Sequence, residues 1–230
     1  MDGQQAGGQV SRIDVVSDAI CPWCWVGKRN LDGALAILAA EGEHFAVHWR
    51  PYQLNPEMPR EGVERAAYRA AKFGSLERSR DADARVAQAG AAAGLTFRHD
   101  LMQRTPNTID AHRLIRMAGE AGCQDAVVER LFRAYFQEGR DVGAQAALAE
   151  LAGEAGLDPA AVAAMLASPA HEAEVTSEDA GFRRLGLNGV PTFALDGHVV
   201  FSGAMPAEQM ADAFRRGLGI LRQQAAAAAQ

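Results

Sequence analysis

A chain of 230 residues with 48% hydrophobic side chains has the material for one large domain, or for a domain carrying an insertion. A formal charge of −6 and the lack of any basic block argue against nucleic acid as a partner. No stretch approaches the ~18 apolar residues of a membrane-crossing helix, and three cysteines do not make a secreted disulfide framework.

Residues 1–10 are rich in Gly and Gln and read as a flexible tail. They carry neither the basic nor the apolar segment of an export signal, so a reducing cytoplasm is the expected compartment. Arg12 to Ser17 reads as a short β-branched strand. Cys21-Pro22-Trp23-Cys24 follows it and opens a helical pattern that runs from Val26 to Ala40 and ends at Gly42. Val26, Leu31, Ala34, Leu35 and Leu38 form its apolar face. Pro22 suits a first helical turn, where its missing N–H costs nothing. Phe45, Val47 and Trp49 alternate as a second strand, which completes a βαβ unit.

The character changes after Tyr52. Leu54 to Pro59 is a linker with two prolines, and from Val63 to Leu166 the chain is helical in spacing with no convincing strand. Helices are expected over 62–73, 76–93, 107–121, 124–138, 143–155 and 159–167. Leu114, Ile115 and Ala118 face Val127, Leu131 and Tyr135 as stripes of a small bundle. Ala170 to Leu185 is again helical. Thr192–Leu195 and His198–Phe201 then read as a hairpin around Asp196-Gly197, followed by an amphipathic helix from Ala207 to Leu221. The fold class is therefore α/β: a thioredoxin-like fold with an all-helical insertion between its βαβ and αββα halves. Its discontinuous domain spans 11–56 and 170–222, the insertion spans 57–169, and 1–10 and 223–230 are flexible tails.

A Cys-x-x-Cys between a strand and a helix puts its first thiol at the helix N-terminus. Free N–H groups and the helix dipole favour a thiolate there, and such thiols fall from about 8.5 into the range ~3.5–7.5. This context reads as a redox motif. Half a zinc site is the rival reading, but Cys123 has no Cys or His at ligand spacing, so no metal is expected. A structural disulfide would close a loop too small to remove much unfolded-state entropy. Far along the chain, Gly189-Val190-Pro191-Thr192 opens a strand, where a proline is allowed because the first residue need not donate to the ladder.

With these pieces in place, the chain resembles the DsbA family of thiol–disulfide oxidoreductases, and more closely its cytoplasmic FrnE-like branch. The likeness rests on Ser17 to Lys28, on Asn107 to Leu114, on Gly189 to Phe193 and on Ser202-Gly203-Ala204. Where FrnE-like chains continue to Gln, this one has Met205. The resemblance implies that Cys21 attacks and forms a mixed disulfide, that Cys24 resolves it, and that Pro22 and Trp23 tune the redox poise. It implies a cis Pro191, with Val190, Pro191 and Thr192 as the substrate-binding edge. It places Asn107 and His112 on a helix that roofs the site. The redox-active Cys21–Cys24 disulfide would need no bound cofactor, and glutathione is a candidate co-substrate. Partners would be proteins or peptides carrying disulfides or thiols, and the chain would be a monomer or a homodimer.

The same superfamily holds 2-hydroxychromene-2-carboxylate isomerases and kappa-class glutathione transferases, which typically carry serine where this chain has Cys21. A glutathione-dependent isomerase or transferase is thus one alternative, and a client-binding module is another. Plainer roles compete at several positions. Asn107 can cap a helix, with Asp110 completing a capping box, and His112 can be a satisfied half-buried histidine. Trp25 and Tyr52 read as core or rim aromatics, and Asn55 as a turn former that could also contact a glutathione-like peptide. Lys28 reads as solvated, Cys123 as a helix-start residue without a partner, and Glu129, Glu138, Glu150 and Glu154 as solvated helix faces.

Overall fold

A computed structural model describes residues 10–228. Residues 1–9 of the expected first tail and 229–230 of the last lie outside the described residues. In chain order the elements are β1 (Ser11–Ser17), α1 (Pro22–Ala40), β2 (Phe45–Pro51), β3 (Val63–Glu64), α2 (Arg65–Phe73), α3 (Leu76–Ala92), β4 (Arg104–Thr105), α4 (Ile109–Glu120), α5 (Gln124–Phe136), α6 (Gln145–Glu154), α7 (Pro159–Leu166), α8 (Glu172–Arg184), β5 (Thr192–Leu195), β6 (His198–Ser202) and α9 (Ala207–Ala228).

The main sheet has the order β2-β1-β5-β6. β1 runs parallel to β2 and antiparallel to β5, so its two neighbours come from opposite ends of the chain. Flanked on both edges, β1 buries Ile13 and Val15 completely. The register sets Val16 opposite Thr192, which brings the end of β1 to the start of β5. The β5–β6 hairpin turns at Asp196 and Gly197 with φ of 46° and 86°, the two left-handed positions an Asp-Gly turn supplies.

Three details of the secondary structure depart from expectation. The insertion is not free of strands: β3 and β4 pair antiparallel, Val63 with Thr105 and Glu64 with Arg104. Two residues are too few to leave an alternating pattern. α4 begins at Ile109 because Asn107 and Thr108 stay outside the helix, and Asp110 does not close a capping box. Its carboxylate accepts from Arg113 at 2.7 Å instead. The final helix runs on to Ala228 through the alanine-rich stretch, alanine being the strongest helix former.

The insertion and the sheet half share one core. Trp25 of α1 stacks on Phe136 (centroids 5.7 Å, 13°) and Phe132 (6.4 Å, 26°), with Phe97 against its edge. The facing stripes of α4 and α5 are buried as expected. Lys28 is not solvated. It is 3% exposed, with Asp125 at 3.0 Å, Asp32 at 3.4 Å and Glu129 at 3.8 Å, because α5 lays carboxylates across α1. Glu129 is likewise drawn in, onto Arg29 at 2.7 Å and the Trp25 indole N–H at 3.4 Å. Arg113 is 1% exposed and donates to Asp110 and to the carbonyls of Met165, Leu166, Ser168 and Ala170. Its guanidinium ties α4 to the turn between α7 and α8. Among the described residues no helix is long and apolar enough to cross a membrane.

Candidate active site

The turn after β1 folds back on itself, with the Cys21 N–H donating to the Asp18 carbonyl at 3.0 Å. Cys21 is the N-cap of α1, in extended conformation, and Pro22 occupies the first turn. The Cys24 N–H reaches the Cys21 carbonyl at 3.0 Å. From the far half of the chain comes the Val190–Pro191 peptide bond, which is cis. Its loop is held on both sides. The Thr192 hydroxyl lies 3.0 Å from the Gly189 carbonyl and 2.7 Å from the Ser202 hydroxyl, and the Gly203 N–H donates to the Pro191 carbonyl at 2.8 Å. The Cys21 thiol donates to the Val190 carbonyl at 3.6 Å, across 169 residues of sequence.

Gly27 permits this approach. A Cβ there would lie 2.9 Å from Cγ of Pro191 and 3.4 Å from Phe193, closer than side chains normally pack. Gly27 stands inside the stretch that carried the family resemblance, but nothing in sequence alone marks it as the seat of a proline 164 residues away.

The two sulfurs differ in cover. Cys21 is 4% exposed and Cys24 is fully buried, while Trp23 on the rim is 39% exposed. Burial pushes the Cys24 thiol well above the ordinary range, and the neighbouring Cys21 adds to the rise. Hydrogen bonding from Ser17 and from the Asp18 main chain acts the other way.

Cys21, Cys24, Pro22, Val190 and Pro191 thus converge. Thr192 adjoins them, but its hydroxyl is spent on the loop. Asn107 and His112 are committed elsewhere. The Asn107 side chain donates to the Met58 carbonyl at 2.6 Å and accepts from the Ile109 N–H at 2.9 Å, so it fixes the linker to the start of α4. His112 is 3% exposed, with its Nε2 3.5 Å from Oδ1 of Asp18. Asp18 is itself fully buried, and its other oxygen accepts from the Leu54 N–H at 2.7 Å. Sequence reasoning gave Asp18 no role, although it lies three residues before Cys21. Tyr52 is buried beneath the Arg183 guanidinium, and Asn55 accepts from the Tyr68 hydroxyl at 2.7 Å. Cys123 is the N-cap of α5 and half-buried. The space beside the active-site turn is small, about 70 Å³, bounded by Ile20, Pro22, Asn55, Tyr68 and Arg69. A groove of about 470 Å³ opens over the β2 edge between α4, α5 and α8.

Residues 12–215 match the sequence model of the DSBA-like thioredoxin domain. The chain belongs to that family. A probable DsbA oxidoreductase from Streptomyces coelicolor is 34% identical, with a TM-score of 0.82 over 91% of this chain and 90% of its own. A 2-hydroxychromene-2-carboxylate isomerase has the same fold at 16% identity, with a TM-score of 0.66 over 94% of this chain and 98% of its own. So does the cytosolic disulfide reductase DsbM from Pseudomonas aeruginosa, solved with glutathione: 22% identity and a TM-score of 0.61, over 92% of this chain and 99% of its own. As a DsbA-like protein the chain falls among redox enzymes that act on thiols and disulfides.

Proposed function

We propose that the protein exchanges disulfides with protein or peptide substrates through a mixed disulfide at Cys21, which Cys24 then resolves. One observation carries the reading: the Cys21 thiol meets the Val190 carbonyl at 3.6 Å, so the sulfur and a main-chain edge from the other half of the fold face one point. A substrate lying extended against Val190 would have its disulfide beside Cys21. Cys21 is the less deeply buried of the two cysteines, and a negative charge on it would sit at the positive end of a 19-residue helix. Cys24, one turn on and sealed, is reached only by Cys21. Pro22 and Trp23 set the helix start and the rim.

The catalytic cycle needs no bound cofactor. Glutathione is the co-substrate we assign, by extension from the fold shared with DsbM, and a reducing cytoplasm suits a chain with one dithiol pair. The reading is tested by insulin reduction driven by dithiothreitol. Wild type should accelerate it, and Cys21→Ser should abolish the acceleration with its circular dichroism unchanged. Activity that survives in folded Cys21→Ser would end the proposal.

A further inference from the structure

Ile20 and Pro22, the residues on either side of Cys21, both line the small cavity of about 70 Å³ beside the active-site turn. A substrate joined to Cys21 would stand next to it. The facing wall is α2, which supplies Arg65, Tyr68, Arg69 and Lys72. Their spacing puts the four on one face of the helix. α2 itself has no acidic residue and no buried one.

The charges of this wall do not balance. Arg65, at 3.0 Å, and Arg69 both pair with Asp83 of α3. Lys72 is exposed and meets no carboxylate among the described residues. Three cations less one carboxylate leave two positive charges uncompensated. Burial holds His99, 3.9 Å from Asp83, below its ordinary range, so it offsets none of them.

The hydrogen bonds run one way as well. Lys72 can only donate, so Tyr68 accepts from it at 3.0 Å and donates in turn to Oδ1 of Asn55 at 2.7 Å. That order leaves Nδ2 of Asn55 over, and Nδ2 is buried without a partner. Asn55 lines the same cavity. Buried polar atoms are paired in the great majority of cases, so an orphan donor beside excess positive charge calls for an anion. The space falls well short of the ~300–1,000 Å³ that a whole drug-sized ligand fills, and suits a single group.

We propose that this cavity is a carboxylate subsite, and that it selects peptide disulfides with an acidic residue beside the reacting cysteine. The inference rests on the exchange reading above. Lys72 and the Asn55 amide are the specificity-determining donors, and Arg65 and Arg69 add to the field. Main-chain pairing at Val190 accepts many sequences, whereas a charged subsite tells them apart. The bonds that change are those of exchange alone. The Cys21 thiolate attacks one sulfur of the substrate disulfide, the Cys21–substrate bond forms, the substrate S–S bond breaks, and the other half leaves as a thiolate. The acidic side chain stays ionised and only accepts hydrogen bonds.

The test compares two peptides of one shape. The reduced full chain is mixed with the disulfide-linked dimer of acetyl-Glu-Cys-Glu-amide, or of its neutral isostere acetyl-Gln-Cys-Gln-amide, and quenched in acid. The oxidised fraction is counted by mass spectrometry. Each rate is divided by that of dithiothreitol with the same peptide, which removes the disulfide's own reactivity. The Glu peptide should be favoured about tenfold at low salt, the order of one charge-assisted hydrogen bond, and less so as salt rises. Lys72→Gln should bring the ratio towards one. Asn55→Asp, with a carboxylate in place of the donor, should reverse it. Lys72 is exposed, so its variant carries the test if Asn55→Asp does not fold. Arg216→Gln, which removes a cation from α9 instead, should keep the wild-type ratio. A wild-type ratio near one would overturn the inference. So would a ratio that Arg216→Gln lowers as far as Lys72→Gln does, since net charge alone would then explain it. If neither peptide oxidises the wild-type chain, the exchange reading itself fails, and the two failures are told apart.

Discussion

Around Cys21 the polar groups are mostly main-chain groups: the Asp18 carbonyl, the first turn of α1, the Val190 and Pro191 carbonyls and the Gly203 N–H. In the insertion and at its seam with α1 they are side chains: Arg113 on Asp110 and a run of carbonyls, Lys28 among the carboxylates of α1 and α5, Glu129 on Arg29. The difference teaches where each region is fragile. A site built mostly from backbone depends on shape, which a misplaced Cβ or a shifted loop disturbs. A bundle joined by buried charges depends on every partner staying charged and in reach.

Arg113→Leu gives the largest expected effect on stability. It leaves the carbonyls of the α7–α8 turn without their donor and Asp110 with only Gln145 at 2.9 Å and Arg60 at 3.4 Å, and breaking a buried charge pair costs about 3–5 kcal/mol. Urea unfolding should show that loss, while exchange per folded molecule stays near wild type. A loss under about 1 kcal/mol, the size of an exposed pair, would erase the contrast between the two regions. Gly27→Ala should act the other way round. Its added methyl meets Pro191 Cγ at 2.9 Å, and overpacking of this kind costs about 1–3 kcal/mol. The larger consequence is for activity, because the group pushed aside adjoins Val190, the edge that faces Cys21. Exchange should fall by more than the unfolded fraction explains. Wild-type turnover in Gly27→Ala would show that close seating of this loop is not needed.

The sheet half was legible because its signals are local. Strand one, the Cys-Pro-Trp-Cys helix start, the Asp-Gly hairpin and the Val-Pro opening of β5 are each written in a few neighbouring residues. The ion pairs of the insertion were not. Lys28 meets Asp125 across 97 residues and Trp25 meets Glu129 across 104, and no pattern in one chain pairs them. Lys28 and Glu129 therefore read as solvated, when Asp125 and Asp32 hold the one and Arg29 the other. β3 and β4 were too short to show alternation. Asn107 lies one residue outside the N-cap, Thr108, with its Oδ1 on the Ile109 N–H, so the helix cap its residue type suggests is not made there. His112 and Asp18 stood in the quoted motifs, yet their meeting depends on α4 packing against the turn after β1, which spacing cannot express.

The central claim is that Cys21 is the sulfur that takes the substrate. The most direct measurement uses Cys24→Ser, which can form the mixed disulfide but not resolve it. Incubated with oxidised glutathione and digested, it should carry one glutathione, mapped by mass spectrometry to the peptide containing Cys21 and removed by dithiothreitol. An unmodified Cys21, or glutathione found on Cys123 alone, would contradict the account.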